Sequence, residues 1–319
     1  MSEFGSETND DILVSFIVLA FNRKKETIKC LDSIMRQHGC RKEVIVLDNC
    51  STDGVVEAIE EQFSDVRVLR MPKNYGDWEG RSIAACNATG SFYVFVDNDG
   101  FLSDNSTEIF LSEFAQDKCL AVAQAKVIDP DNLIPEGTGG NRSLAEVDHY
   151  RHTFLGGAAM IRADLYHKIG GFPHYLLGGG EPFVAYRLLD LGFRIKHCSK
   201  AILFHKKSPE GRVPAQRLFL SAKQRLRALL SHYPGIFRPA SELCWKTSHY
   251  TFLALRNGSL FRLPSDVCDM IFSGLRSWRG DWIIDPSTVK LVDYLKTNVV
   301  CSVNEYVEVV EALKGQRKA

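Results

Sequence analysis

Carboxylates and amides recur at the ends of short apolar runs in this chain. In FYVFVDNDGFLS, residues 92–103, the run stops at Asp97, Asn98 and Asp99 and turns through Gly100. Asp48 and Asn49 follow VIVL, Asn22 and Arg23 follow VSFIVLAF, Asn74 and Gly76 follow VRVLRMPK, and His205 follows AILF. Glu181 comes directly after Gly178, Gly179 and Gly180. Two carboxylates at a strand end that turns through glycine can address two parts of one ligand. Asp99 suits a hard divalent cation, which takes few protein carboxylates and completes its shell with phosphate oxygens and water. Asp97 suits the hydroxyls of a ribose. Together they fit a diphosphate leaving group, whose growing charge a cation offsets. A carboxylate such as Glu181, placed near a hydroxyl, can serve as a general base. Each residue alone also has an ordinary use, because Asp, Asn and Gly are common in turns and helix caps; Ser51 or Thr52 reads as the cap of the helix that starts near Val55.

The elements that must hold these residues alternate. Residues 14–21, 43–48, 66–69 and 92–97 read as buried strands, being short, β-branched and ended by polar residues. Between them Ile28, Leu31, Ile34 and Met35 mark one face of a helix, Val56, Ile59 and Phe63 a second, and 77–88 a third. Such β-α-β units predict a mainly parallel, Rossmann-like sheet flanked by helices, with ligands beyond the carboxyl ends of its strands. Residues 129–152 read as a loop, of a length that serves binding or is disordered, with His149, Tyr150, Arg151 and His152 facing either an acceptor or solvent. A strand is expected at 153–161, a helix from Pro182 to about Leu191, and a short strand at 201–204.

Composition narrows the class. The 39 Lys and Arg balance 39 Asp and Glu, but 206–280 carries 13 Lys or Arg against four Asp or Glu. A basic segment rich in Leu, Phe and Trp fits an anionic membrane surface, an anionic substrate or a solvated helical face. No apolar run approaches the roughly 20 residues of a membrane span, and MSEFGSETNDD is not a signal peptide, so a cytoplasmic location is expected, with peripheral membrane contact left open. The nine cysteines form no C-x-x-C pair and read as mostly buried apolar residues. The expected organisation is a disordered tail at 1–11, a nucleotide-binding and catalytic domain at 12–205, and a helical, basic C-terminal region at 206–319.

Taken in order, VSFIVLAFNR, VIVLDNCSTDG, NYGDWEGRSIAACNATGSFYVFVDND and FLGGAAMIRADLYHKIGGF…GGGEPFVAYRLLDLGFRI resemble the inverting family 2 glycosyltransferases of the GT-A fold, particularly bacterial rhamnosyltransferase-like members. The resemblance implies that Asp48 reads the nucleotide base beside the backbone of Ala20 and Phe21. It implies that Arg81 borders the nucleotide and that Asp97 and Asp99 form the D-x-D motif, holding ribose and metal. It also places His205 beside the metal or diphosphate. Glu181 falls on the second acid of the family's Glu-Asp pair, the base; here the sequence is Gly180-Glu181-Pro182, a departure from that pair. The nucleotide-sugar contacts expected are therefore Ala20, Phe21, Asn22, Arg23, Asp48, Asn49, Asn74, Gly76, Arg81, Asp97, Asn98 and Asp99, with Asp97, Asp99 and His205 around Mn²⁺ or Mg²⁺. The implied donor is a nucleotide diphosphate sugar, UDP or dTDP favoured. The acceptor is a glycan, a lipid-linked glycan or a small molecule, with a homo-oligomer left open and no nucleic acid expected. Two other readings stay open, a non-catalytic nucleotide- or carbohydrate-binding member of the fold and a nucleotidyltransferase; no basic glycine-rich loop follows the first strand to hold a triphosphate.

Overall fold

The computed structural model of the protein describes residues 11–136, 142–173, 180–206, 223, 226–234 and 282–315. Residues 1–10 of the tail expected at 1–11, Gly178 and Gly179, and most of the basic stretch 206–280 lie outside the described residues.

The leading strands are β1 (Leu13–Ala20), β2 (Arg41–Asp48), β3 (Val66–Arg70) and β4 (Phe92–Asp97), joined by helices α1 (Lys24–Met35), α2 (Val55–Gln62) and α3 (Asp77–Ala85). Then come β5 (Gly100–Leu102), α4 (Ser106–Gln116), β6 (Leu120–Ile128), β7 (His149–Tyr150), β8 (Ala158–Arg162), α5 (Ala163–Lys168), α6 (Glu181–Asp190) and β9 (Arg194–His205). The helices α7 (Pro286–Thr297) and α8 (Val303–Gly315) close the chain. The strands form one sheet in the order β3-β2-β1-β4-β8-β6-β9-β5, with β7 on β9.

Strands buried on both faces explain the unbroken apolar runs. Successive side chains point to opposite faces: Tyr93 and Phe95 of β4 enter one core with Trp78, Phe172, Phe183 and Leu188, whereas Phe92, Val94 and Val96 enter the other with Leu31, Ile34, Ile59 and Phe110. Helices α3, α5 and α6 thus cover one face, and α1, α2 and α4 the other.

The four leading strands pair in parallel, as the alternation predicts. The rest of the sheet is mixed, because β8 runs antiparallel to both β4 and β6, and β5 and β7 run antiparallel to β9. Strand β8 is shorter than expected, since 153–157 approach as coil, while β9 extends far beyond 201–204. Its first half is broken in sequence by Arg194 and Lys196, which pair with Asp117 and Glu113 and so are accommodated. In the expected acceptor loop His149 and Tyr150 form β7 and are buried, the Tyr150 hydroxyl donating to Asp117 Oδ2 at 3.1 Å and its ring packing on Tyr306. Of the seven described cysteines only Cys30 and Cys198 are buried, against the expectation.

The C-terminal helices share the first core, through Ile284, Leu291, Val292, Leu295 and Tyr306. The Asp190 carboxylate at the end of α6 accepts from Trp282 Nε1 at 2.9 Å, the Asp285 N–H at 2.7 Å and Thr288 Oγ1 at 2.8 Å. The helix that begins with Glu181 is therefore anchored at its far end by residues 92 to 98 positions away.

Candidate active site

Register builds the floor of the site. Ala20 of β1 lies beside Asp48 of β2, and Leu19 beside Asp97 of β4. The strands end at one level, the edge at which open α/β sheets bind ligands. Asp48 is buried and accepts from the Ser51 N–H at 3.1 Å. Asn22 and Arg23, with φ of 55° and 61°, are both left-handed, an uncommon choice for residues with side chains. The 51–53 loop holds them there: the Asn22 N–H donates to Ser51 Oγ at 2.8 Å, Asn22 Oδ1 accepts from the Thr52 N–H at 2.9 Å, and the Lys24 N–H donates to Asp53 Oδ2 at 2.8 Å. Neither Ser51 nor Thr52 caps α2, because both are drawn to Asn22. The cap position is Gly54, and the Val55 N–H turns to Asp53 Oδ1 at 3.2 Å. Phe21 stays 46% exposed at this edge.

Asp97 and Asp99 sit in different surroundings. The Asp99 side chain is only 4% exposed and accepts from Arg23 Nη1 at 2.5 Å, with His205 Nε2 at 3.2 Å. Asp97 is 37% exposed and pairs with Arg81 Nη2. The Nε and Nη1 of Arg81 are buried with no hydrogen-bond partner. Burial opposes a charge on His205, but its hydrogen bonds to Asp99 and Glu136 and the nearby charges of Asp99 and Asp97 outweigh it and push its pKa up to about 9. One ligand atom from each of Asp97, Asp99 and His205 lies within 4.8 Å of the others. Two hard oxygens and an imidazole fit a cation of the Mn²⁺ type, with positions left for phosphate oxygens and water.

Glu181 begins α6, half-buried, with Pro182 in the first turn. Its Oε1 accepts from the Gly156 N–H at 3.3 Å. Burial pushes its pKa up to about 7, against the lowering effect of that N–H and of Arg81. Gly156 and Gly157 come between the two acids. A Cβ on Gly157 would lie 2.2 Å from the Asp97 carboxyl, and one on Gly156 would lie 2.4 Å from the Trp78 ring and 3.3 Å from Glu181 Cγ. Only glycine fits this passage, which sets Asp97 on one side of the dipeptide and Glu181 on the other.

The remaining amides face inward. Asn49 donates to Asn74 Oδ1 at 2.9 Å and to the Gly76 carbonyl at 3.1 Å, and accepts from the Tyr75 N–H at 2.7 Å. Asn98 donates to Thr27 Oγ1 at 3.0 Å. These three asparagines brace the loops around the crevice, and Gly76, at φ 80°, lets the 74–76 turn enter α3. Sequence reasoning missed three participants. Trp78 wedges against Gly156, and its Nε1 is buried without a partner. The Gly156-Gly157 pair was visible in FLGGAAM, but its use was not. Glu136, with Oε1 at 3.2 Å from His205 Nδ1, carries no sequence signal.

The family profile described as glycosyl transferase family 2 matches residues 15–170. The matched region, just under half of the chain, is thus similar to glycosyl transferase family 2. The match takes in β1 through α5, and Glu181 and His205 lie C-terminal to it. An uncharacterized glycosyltransferase of Haemophilus influenzae is 28% identical over 172 residues, covering 50% of this chain and 56% of the relative. The chain thus spans little more than half the length of that curated relative. Among solved structures, TarS of S. aureus in complex with UDP-GlcNAc is similar with a TM-score of 0.59 at 16% identity, over 96% of this chain and 92% of that one. The mannosyltransferase PcManGT of Pyrobaculum calidifontis in complex with GDP-Man and Mn²⁺ is similar with a TM-score of 0.56 at 16% identity, over 98% of this chain and 83% of that one. The fold is the GT-A fold of these enzymes.

Proposed function

We propose that the protein transfers a sugar from a nucleotide diphosphate sugar to an acceptor hydroxyl, with inversion at the anomeric carbon. The observation that carries this reading is the placement of Asp97 and Glu181 on opposite sides of the Gly156-Gly157 passage. The donor occupies the edge formed by β1, β2 and β4, its base near Phe21 and Asp48 and its ribose at Asp97. Asp99, Asp97 and His205 hold a divalent cation, Mn²⁺ or Mg²⁺. When bound, that cation offsets the charge gathering on the departing diphosphate. Glu181 takes the proton of the acceptor hydroxyl as its oxygen bonds to the anomeric carbon and the bond from that carbon to the diphosphate oxygen breaks on the far face. The unpaired N–H groups of Arg81 add donors where that negative charge develops.

A pyrimidine nucleotide, UDP or dTDP, is the proposed carrier; the UDP-GlcNAc held by TarS supports UDP. The proposed acceptor is a glycan hydroxyl, in polysaccharide or glycan biosynthesis, presented on a lipid at the cytoplasmic membrane face. Among the described residues no helix is long and apolar enough to cross a membrane.

A general base with a pKa of about 7 works as its ionised form, so transfer rises with pH and reaches half its plateau near 7. Glu181→Gln is expected to lower transfer by roughly 10²- to 10⁴-fold, to remove that rising limb, and to leave UDP affinity almost unchanged. A variant that lost UDP binding together with transfer would remove Glu181 from the role of base.

A further inference from the structure

Strand β6 ends at Ile128, beside Phe204 of β9, one residue short of His205. The chain then doubles back. Pro135 bridges to Ile128, and the Glu136 N–H donates to the Val127 carbonyl at 2.9 Å. The intervening turn is built from its own side chains: Asp129 Oδ1 accepts from the Asp131 N–H at 2.9 Å, Asp129 Oδ2 from Asn132 Nδ2 at 3.2 Å, and Asn132 Oδ1 from the Ile134 N–H at 2.9 Å. Leu133 is left-handed at φ 56° and 67% exposed, so the turn and not packing holds it in a conformation rare for a bulky residue. Lys206 Nζ reaches Asp131 Oδ2 at 2.6 Å, tying the turn to the residue after His205.

This construction delivers one carboxylate. Glu136 Oε1 lies 3.2 Å from His205 Nδ1, while the opposite nitrogen, Nε2, lies 3.2 Å from Asp99 Oδ1. The Glu136 and His205 side chains are 19% and 12% exposed, so water competes weakly for the contact. The bonds that close the turn run through Asp129, Asn132 and the backbone, and they remain when the Glu136 carboxylate is removed.

We infer that Glu136 is a positioning residue of the cation site, whose carboxylate holds the Nδ1 hydrogen of His205 and so keeps Nε2 turned toward Asp99 and open to the cation. A carboxylate behind a metal-ligating histidine fixes its tautomer and ring orientation and makes it a better donor. The inference rests on the proposed cation site at Asp97, Asp99 and His205, and names the residue outside that set on which its geometry depends.

The test is cation affinity, independent of turnover. Wild type, His205→Ala, Glu136→Ala and Glu136→Gln are titrated with Mn²⁺ alone and again with UDP present, free Mn²⁺ being read by electron paramagnetic resonance. Melting in EDTA records any effect on folding. Glu136→Ala is expected to weaken Mn²⁺ binding by about 10- to 100-fold, the usual range for such outer contacts, while in EDTA it still melts as a folded protein, at a temperature lowered no further than that of His205→Ala. Glu136→Gln keeps an oxygen that accepts the Nδ1 hydrogen and should lose far less; it also carries the test if the alanine variant folds poorly. Glu136→Ala with wild-type affinity, beside a His205→Ala variant that has lost it, would overturn the inference and leave the cation site standing. So would Glu136→Gln falling as far as Glu136→Ala. A wild type that binds no Mn²⁺, with or without UDP, would overturn the cation site and the inference with it.

Discussion

The two halves of the site are built differently. Asp48 and Asp97 stand at the ends of parallel strands from the leading part of the chain, each set by the register of its neighbour. Glu181, His205 and Gly156-Gly157 come from the mixed half of the sheet and from α6, where contacts join residues tens of positions apart. The chemistry differs as well. Asp99 lies against two cationic side chains, Arg23 and His205, whereas burial holds Glu181 at a pKa of about 7. Two carboxyl groups in unlike surroundings can take unlike tasks, one held as a charge for binding and one able to accept a proton.

The seam between the halves is the sharpest place to break this contrast. Gly157→Ala adds a carbon where the Asp97 carboxyl now lies 2.2 Å away, so the carboxylate must move. The expected result is at least a roughly tenfold loss of UDP affinity in Mn²⁺ and about 1 to 3 kcal/mol of stability, read by calorimetry and urea unfolding. Glu181→Gln, on one side of the seam, should spare UDP affinity; Gly157→Ala should not. Equal UDP affinity in the Gly157→Ala variant would mean that Asp97 has no part in donor binding.

Two histidines sharpen the comparison through pH. His232 supports α6: its Nε2 accepts from Arg187 Nε at 3.1 Å, and burial, with the Arg187 charge, pushes its pKa down to about 4. The unfolded chain takes up that proton first, so the contribution is present above pH 6.5 and is lost as pH falls toward 4, by roughly 3 kcal/mol. His205 at about 9 has the opposite sign. Its contribution is complete below pH 6.5 and is lost as pH rises through 9, by a similar amount of about 3 kcal/mol. Urea unfolding in EDTA across pH 4 to 9 should show both limbs, with His205→Ala flattening only the upper one. A His205→Ala variant that keeps the upper limb would show that other groups produce it.

The smallest effect belongs to the parallel half. Ser51→Ala removes the oxygen that receives the Asn22 N–H and should cost about 1 kcal/mol, with a modest loss of UDP affinity and normal dependence of transfer on pH. A shifted pH profile in that variant would mean that the halves are not separable.

This division also decides what the sequence could disclose. Asp97 and Asp99 were legible because a buried strand and its carboxyl end are one continuous stretch, and the same holds for Asp48. Glu181 was legible only through resemblance and through the proline that follows it. Strand β9 was read short because Lys196 and Arg194 look like solvent residues until Glu113 and Asp117 of the α4 region are placed against them. Glu136 lies in DNLIPEG, a loop by any local criterion, and gains meaning only from His205, 69 positions later. The three asparagines show the converse: their types suggested ligand contacts, and the fold engages them with one another, with backbone and with the Thr27 hydroxyl.

The most direct measurement is a calorimetric titration of wild type and Asp99→Ala with UDP, each in Mn²⁺ and in EDTA. A donor site completed by a cation at Asp99 predicts that wild type binds UDP at least about tenfold tighter in Mn²⁺, a difference of roughly 1.4 kcal/mol, and that Asp99→Ala binds equally weakly in both. Wild-type affinity for UDP that is the same with and without Mn²⁺, or a metal effect that survives in Asp99→Ala, would contradict it.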